Sequence, residues 1–84
     1  MNLAETYNRI AEDWDKDHDN DDWWIEGTDV LISHLPSKGT VLDVGCGSGV
    51  KSCYLLEGGF KVTGIDISEK LLDIARRKAP EGEY

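Results

Sequence analysis

Between Val41 and Gly49 the chain reads Val-Leu-Asp-Val-Gly-Cys-Gly-Ser-Gly, an apolar stretch running into three glycines spaced two apart, with Asp43 two residues ahead of the first. A strand that ends in a glycine turn before a helix is how α/β folds bring backbone N–H groups against a nucleotide-like ligand. Dinucleotide sites want G-x-G-x-x-G, whose third glycine lets the helix pack closely on the strand. Here the position three after Gly47 is Val50, and the third glycine comes one place early at Gly49. A carboxylate beside such a turn repels a pyrophosphate and suits a ligand that carries positive charge. Seventeen residues beyond Gly49 stands Asp66, expected at the tip of the next strand. An acid there can accept hydrogen bonds from both hydroxyls of a ribose. Ile67, next to it, can lie against a flat base.

The elements that must hold these residues follow from periodicity. Leu3, Tyr7, Ile10, Ala11 and Trp14 share one helical face and predict a helix over 3–14. Asp15 to Asp22 reads as an acidic loop, and Trp23 to Leu35 as a second helix closed by Pro36. Ser37-Lys38-Gly39 is a turn, and Thr40 to Val44 is the first strand. A helix over Gly49 to Glu57 is stopped by Gly58-Gly59, and Phe60 to Asp66 is the second strand. Ser68 is the N-cap of a helix through Lys78 that buries Leu71, Leu72, Ile74 and Ala75. Pro80-Glu81-Gly82 ends it, and Tyr84 stands where a third strand would begin. The order α-α-β-α-β-α is that of an α/β fold, with a right-handed crossover making the two strands parallel neighbours. Parallel sheets need cover on both faces and further strands. The chain therefore reads as the front of a larger α/β domain.

Charge narrows the partners. The net charge is −8, and residues 1–30 hold ten acids against Arg9 and Lys16, while the rest balances at seven and seven. Without a basic stripe, nucleic acid is not the expected partner. Arg76-Arg77-Lys78 falls at a helix C-terminus and complements its dipole. No apolar run approaches the length of a membrane span, and the N-terminus lacks the pattern of a signal peptide, so the expectation is a soluble cytoplasmic protein. Cys46 and Cys53 form no C-x-x-C and read as free thiols. Asp15, Asp17, Asp19, Asp21 and Glu26 occupy positions 1, 3, 5, 7 and 12 of a calcium-loop register. Asn20 in place of glycine at position 6 and Asp22 in place of an apolar residue at position 8 weaken it. The alternatives for residues 15–26 are a metal-binding helix-loop-helix, a solvated acidic loop, or an acidic lid that attracts a cationic substrate.

Val41–Gly49 followed by Val62-Thr-Gly-Ile-Asp-Ile-Ser68 resembles motif I and the post-I motif of the class I S-adenosylmethionine-dependent methyltransferases. The resemblance implies a Rossmann-like fold and S-adenosyl-L-methionine as cofactor. It further implies that Asp43, Gly45, Cys46, Gly47 and Gly49 line the methionine and sugar side, that Asp66 binds ribose, and that Ile67 touches adenine. Tyr7-x-x-Ile10-Ala11-x-x-Trp14-Asp15 resembles the N-terminal helix that many small-molecule methyltransferases fold across the cofactor mouth. Tyr7 and Trp14 share a face, which cofactor contact and core packing explain equally well. Of the adjacent Trp23 and Trp24, one can reach a substrate pocket or cap the loop.

On this reading residues 1–36 form a helical cap segment with the acidic loop 15–22, and residues 37–84 form the first β-α-β-α portion of the cofactor-binding domain, ending before the third strand. Strands three to seven of the family's sheet are absent, and with them most of the pocket for a small-molecule methyl acceptor. No catalytic acid or base can be nominated, since methyl transfer in this family relies on positioning the nucleophile in line with the sulfonium. The expectation is a cofactor half-site without catalysis by these 84 residues alone. The rival is a non-enzymatic module that self-associates through an open sheet edge or pairs with a partner chain.

Overall fold

A computed structural model describes residues 2–35 and 38–84. The elements are α1 (Leu3–His18), α2 (Ile25–Ser33), β1 (Thr40–Val44), α3 (Val50–Glu57), β2 (Lys61–Ile65) and α4 (Glu69–Lys78). The closing of the second helix at Pro36, the turn residue Ser37 and the segment boundary between them lie outside the described residues.

β1 and β2 pair in parallel, with Thr40 opposite Lys61 and Val44 opposite Ile65. The expected third strand announces itself at Glu83, which bridges Thr63 in parallel. Its N–H donates to the Val62 carbonyl at 2.9 Å, and its own carbonyl accepts from Gly64 N–H at 2.7 Å. Both strand tips therefore point toward the glycine turn and Asp66, which brings the two motifs side by side.

α1 begins where Asn2 accepts the Glu5 N–H at 2.8 Å, an N-cap that satisfies one orphan donor. It runs to His18, four residues beyond the expected end. Two contacts outweigh the poor helix propensity of its acidic tail. Lys78 of α4 pairs with both Asp15 and Asp19, and the His18 ring bonds the Trp14 carbonyl at 2.8 Å while stacking on the Trp14 indole. The calcium-loop register is thereby undone: Asp15 and Asp17 lie on a helix, and Asp15 is engaged by a lysine. Among the described residues no group of three or more His, Cys, Asp or Glu side chains is placed to share a metal ion.

α4 starts on Ser68, whose hydroxyl accepts the Leu71 N–H at 3.2 Å, and buries Leu71, Leu72, Ile74 and Ala75 as its periodicity required. One apolar cluster joins Ala11 of α1 to Leu71 and Ile74 of α4, with Tyr7 and Trp14 packed against it. A second joins Leu55, Phe60 and Val62, with Ile32 of α2 and Val41 of β1 alongside. The basic end of α4 does more than complement a dipole. Arg77 pairs with Glu12 and Lys78 with Asp15 and Asp19, so the C-terminal turn of α4 ties down the acidic half of α1. No helix among the described residues is long and apolar enough to cross a membrane.

Candidate cofactor site

The turn between β1 and α3 folds with Gly45, Gly47 and Gly49 at φ of 71°, 57° and 91°. L-residues with a Cβ pay for that region with steric strain, which explains three glycines in five positions. Gly49 carries a second constraint: a Cβ there would stand 2.9 Å from the Ala75 Cβ, so the glycine lets the start of α3 lie against α4.

The turn differs from an anion cradle in where its N–H groups go. Gly45 and Cys46 both donate to the Ile65 carbonyl, at 2.8 and 3.0 Å, and Gly49 donates to the Cys46 carbonyl at 3.1 Å. Gly47 N–H donates to Asp66 Oδ2 at 2.9 Å, and Ser68 N–H donates to Asp66 Oδ1 at 2.9 Å. The expectation of bare N–H groups facing the ligand is thus corrected for these positions, because the neighbouring strand tip takes them up. A phosphate would find these donors already engaged.

What the site offers is negative charge on an apolar floor. Asp43 is held by Ser52, a fully buried residue of α3 whose hydroxyl donates to it at 2.9 Å. Burial, then the carboxylate of Asp43, then that of Asp66, push the Cys46 thiol up to about 11. Such a shift reports how strongly the cleft disfavours a further negative charge.

A cleft of about 630 Å³ opens over the turn. Eight of the nine residues expected at the site, Tyr7, Trp14, Asp43, Gly45, Cys46, Gly47, Asp66 and Ile67, line it. Gly49 does not, being buried against α4. Tyr7 meets Trp14 edge to face at 5.4 Å between centroids, and Trp14 stacks on His18 at 3.9 Å. The Trp14 Nε1 lies 3.9 Å from where a Gly47 Cβ would be, so one face of α1 closes over the glycine turn. Core packing holds for that face, since Tyr7 and Trp14 pack against the cluster, and the same two residues also line the cleft.

His18 and Lys51 line the cleft as well and were not singled out in the sequence, and Trp24, one of the two adjacent tryptophans, joins them. His18 was hidden by ending α1 too early; continued, the i, i+7, i+11 spacing from Tyr7 through Trp14 reaches it. The two tryptophans divide as their adjacency required. Trp24 is buried, its Nε1–H donating to the Asp21 carbonyl at 2.9 Å, while Trp23 is 76% exposed. Lys51 Nζ sits 5.3 Å from the Trp23 ring centroid at the cleft mouth.

A parallel strand pair with a glycine turn, an acid just beyond the second strand and an aromatic helix across the opening is the arrangement of a Rossmann-like fold. Residues 41–83 match the family model described as a methyltransferase domain, and the chain belongs to that family. With its glycine-turn and strand-two motifs, that places the chain among the class I S-adenosylmethionine-dependent methyltransferases. The Bacillus subtilis protein YqeM is 45% identical over 65 residues, covering 75% of this chain and 24% of its own length. The crystal structure of a TehB-like SAM-dependent methyltransferase from Corynebacterium glutamicum superposes with a TM-score of 0.68 at 28% identity, over 98% of this chain and 44% of that one. Magnesium protoporphyrin IX methyltransferase from Synechocystis, solved with bound SAH, superposes with a TM-score of 0.52 at 31% identity, over 96% of this chain and 34% of that one. The chain thus spans about a quarter of the curated relative and less than half of the solved ones.

The residues present fit this cofactor. Its ammonium and sulfonium match a cleft floor that carries Asp43 and Asp66 with no facing phosphate cradle, and its flat base matches the exposed apolar Ile67 at the rim.

Proposed function

We propose that this chain supplies the S-adenosylmethionine half-site of a small-molecule methyltransferase. The observation that carries the reading is Asp66, whose two oxygens are fixed by the Gly47 and Ser68 N–H groups so that the carboxylate is locked at the strand tip beside the glycine turn. Each oxygen keeps lone pairs for a ribose hydroxyl. Asp43, oriented by Ser52, faces the cationic end of the ligand. Ile67 gives the base an apolar surface, while Tyr7 and Trp14 cover the opening from α1. When bound, the cofactor supplies an electrophilic methyl group on sulfur.

Gly45, Cys46 and Gly47 shape the floor, and methyl transfer asks for positioning of the acceptor in line with the sulfonium. Holding the acceptor in line therefore falls to surface beyond these elements, and the 84 residues alone bind without turning over. The division into a helical cap and a cofactor-binding segment is part of the same reading. Nucleic acid is a poor acceptor for this surface, because Arg76, Arg77 and Lys78 are all engaged by carboxylates.

Exposed Leu42 and Val44 on β1 and Ile65 and Ile67 at the end of β2 support a second reading in which the open sheet also pairs with further strands or with a second copy. Calorimetry with S-adenosylhomocysteine tests the first: saturable binding by the chain, abolished by Asp66→Ala in a variant that still folds, is expected, and no binding by the folded chain overturns it. Sedimentation separates the second, since a well-behaved monomer at high concentration removes self-association.

A further inference from the structure

We infer that Asn8, a residue of α1 outside the cleft lining, is a positioning residue that holds the ribose-binding carboxylate of Asp66 in register through Ser68. The inference rests on the cofactor reading above. Asn8 is half-buried and projects from α1 onto the N-terminus of α4. Its Oδ1 accepts from the Ser68 hydroxyl at 2.6 Å and from the Lys70 N–H at 3.2 Å.

Ser68 is fully buried and fully committed. Its hydroxyl oxygen accepts the Leu71 N–H at 3.2 Å, its hydroxyl proton goes to Asn8, and its backbone N–H goes to Asp66 Oδ1 at 2.9 Å. The other oxygen of Asp66 accepts from Gly47 in the glycine turn at 2.9 Å. A continuous run therefore leads from α1 through the α4 cap and Asp66 to the floor of the cleft. Each link is a group whose other partners are already fixed, so a shift at Asn8 is transmitted instead of being absorbed by water. Removing the Asn8 acceptor leaves a buried hydroxyl proton without a partner, and Ser68 must rotate to find one. That rotation disturbs the cap and, one backbone N–H away, the orientation of Asp66.

Asn8 acts only as an acceptor in these contacts. Aspartate at the same position keeps both bonds and adds a negative charge at a helix N-terminus, where it is favourable. Leucine keeps the size and removes the acceptor. The distinction separates hydrogen bonding from bulk.

Asn8→Leu and Asn8→Asp chains are titrated with S-adenosylhomocysteine and with its analogue lacking both ribose hydroxyls. The loss of one buried hydrogen bond sets the expected scale, so Asn8→Leu weakens S-adenosylhomocysteine by about fivefold or more while Asn8→Asp stays within about twofold of the parent. The loss in Asn8→Leu is confined to the ligand with hydroxyls, so the preference for ribose collapses. Equal weakening of both ligands, or no weakening, overturns the inference, because mere destabilisation of the fold does not choose between them. Amide hydrogen exchange at Gly47 in the ligand-free chain provides the second readout. Asn8→Leu is expected to speed it and Asn8→Asp to leave it unchanged. If the parent binds neither ligand the cofactor reading fails, and exchange at Gly47 then decides the role of Asn8 alone: unchanged exchange in Asn8→Leu refutes it.

Discussion

Gly49 and Ala75 meet where a side chain on the glycine would have to stand: its Cβ would lie 2.9 Å from the Ala75 Cβ and 3.0 Å from the Ala75 Cα. Ala75 is completely buried, so neither partner has room to yield. The early third glycine, a departure from the dinucleotide pattern, thus serves the packing of α3 on α4.

Gly49→Ala is accordingly expected to cost about 2–5 kcal/mol, from left-handed backbone strain and overpacking together. Gly47→Ala meets only an ordinary contact with Trp14 at 3.9 Å and should cost about 1–2 kcal/mol from strain alone. Urea unfolding of both variants checks the difference. Equal losses would mean that the approach to Ala75 carries no energy.

Trp14 joins the core to the cleft. It packs against the cluster of Ala11, Leu71 and Ile74 and lies over Gly47. Trp14→Ala should destabilise the chain by about 2–4 kcal/mol, less than the loss of a fully buried indole, and should weaken S-adenosylhomocysteine binding more than unfolding explains. Binding measured well below the unfolding temperature separates the two effects. Unchanged affinity in the folded variant would remove α1 from the ligand site.

The glycine turn, both strands and the α4 cap were legible because each is written in local chemistry: Ser68 ahead of an apolar period, Val41 to Val44 ahead of glycines, Asp66 after an apolar run. The end of α1 was not, since Asp15 within the helix and Asp19 at its C-cap are both held by a lysine about sixty residues away. Their spacing resembled a cation loop for the same reason, as alternating acids look alike whether water, metal or Lys78 balances them. The uptake of the turn's N–H groups by Ile65 and Asp66 also lay beyond sequence, being a property of how two strand tips sit together.

Cys46 lies in the cleft with its thiol raised to about 11 by burial and by Asp43 and Asp66. Since the thiolate is the nucleophile, and its greater intrinsic reactivity offsets only part of its scarcity, alkylation at pH near 8 should run about tenfold or more slower than for an unperturbed cysteine. Mass spectrometry of iodoacetamide-treated native chain reads the rate at Cys46. Asp43→Asn should accelerate it by removing one of the two opposing charges, and no acceleration would show that burial alone protects the thiol.

Lys78 and its carboxylates make stability depend on pH at both ends of the scale. Burial disfavours the charged forms of both partners, yet hydrogen bonds outweigh it: Asp15 and Asp19 raise Lys78 above its ordinary 10.5, and Lys78 with Ser48 lowers Asp15 below 3.8. A raised lysine contributes stability that is whole below 10.5 and is lost as pH climbs through the higher folded value. A lowered carboxylate contributes stability that is present above 3.8 and is lost as pH falls through the folded value. Lys78→Met should therefore lower the unfolding midpoint at neutral pH, with the gap to the parent closing both above 10.5 and below 3.8. Tyr54, Tyr84 and Cys46, whose protons are also held more tightly than usual, titrate in both chains and drop out of the difference, while Cys53, raised by burial and Glu57 and eased by Lys78, follows the lysine. Added salt should narrow the gap only in part, because the Lys78 and Asp15 side chains are each about one-fifth exposed and screened less than a surface pair. A gap that stays constant across the whole pH range would assign the loss to the lysine's methylene packing and not to its charge.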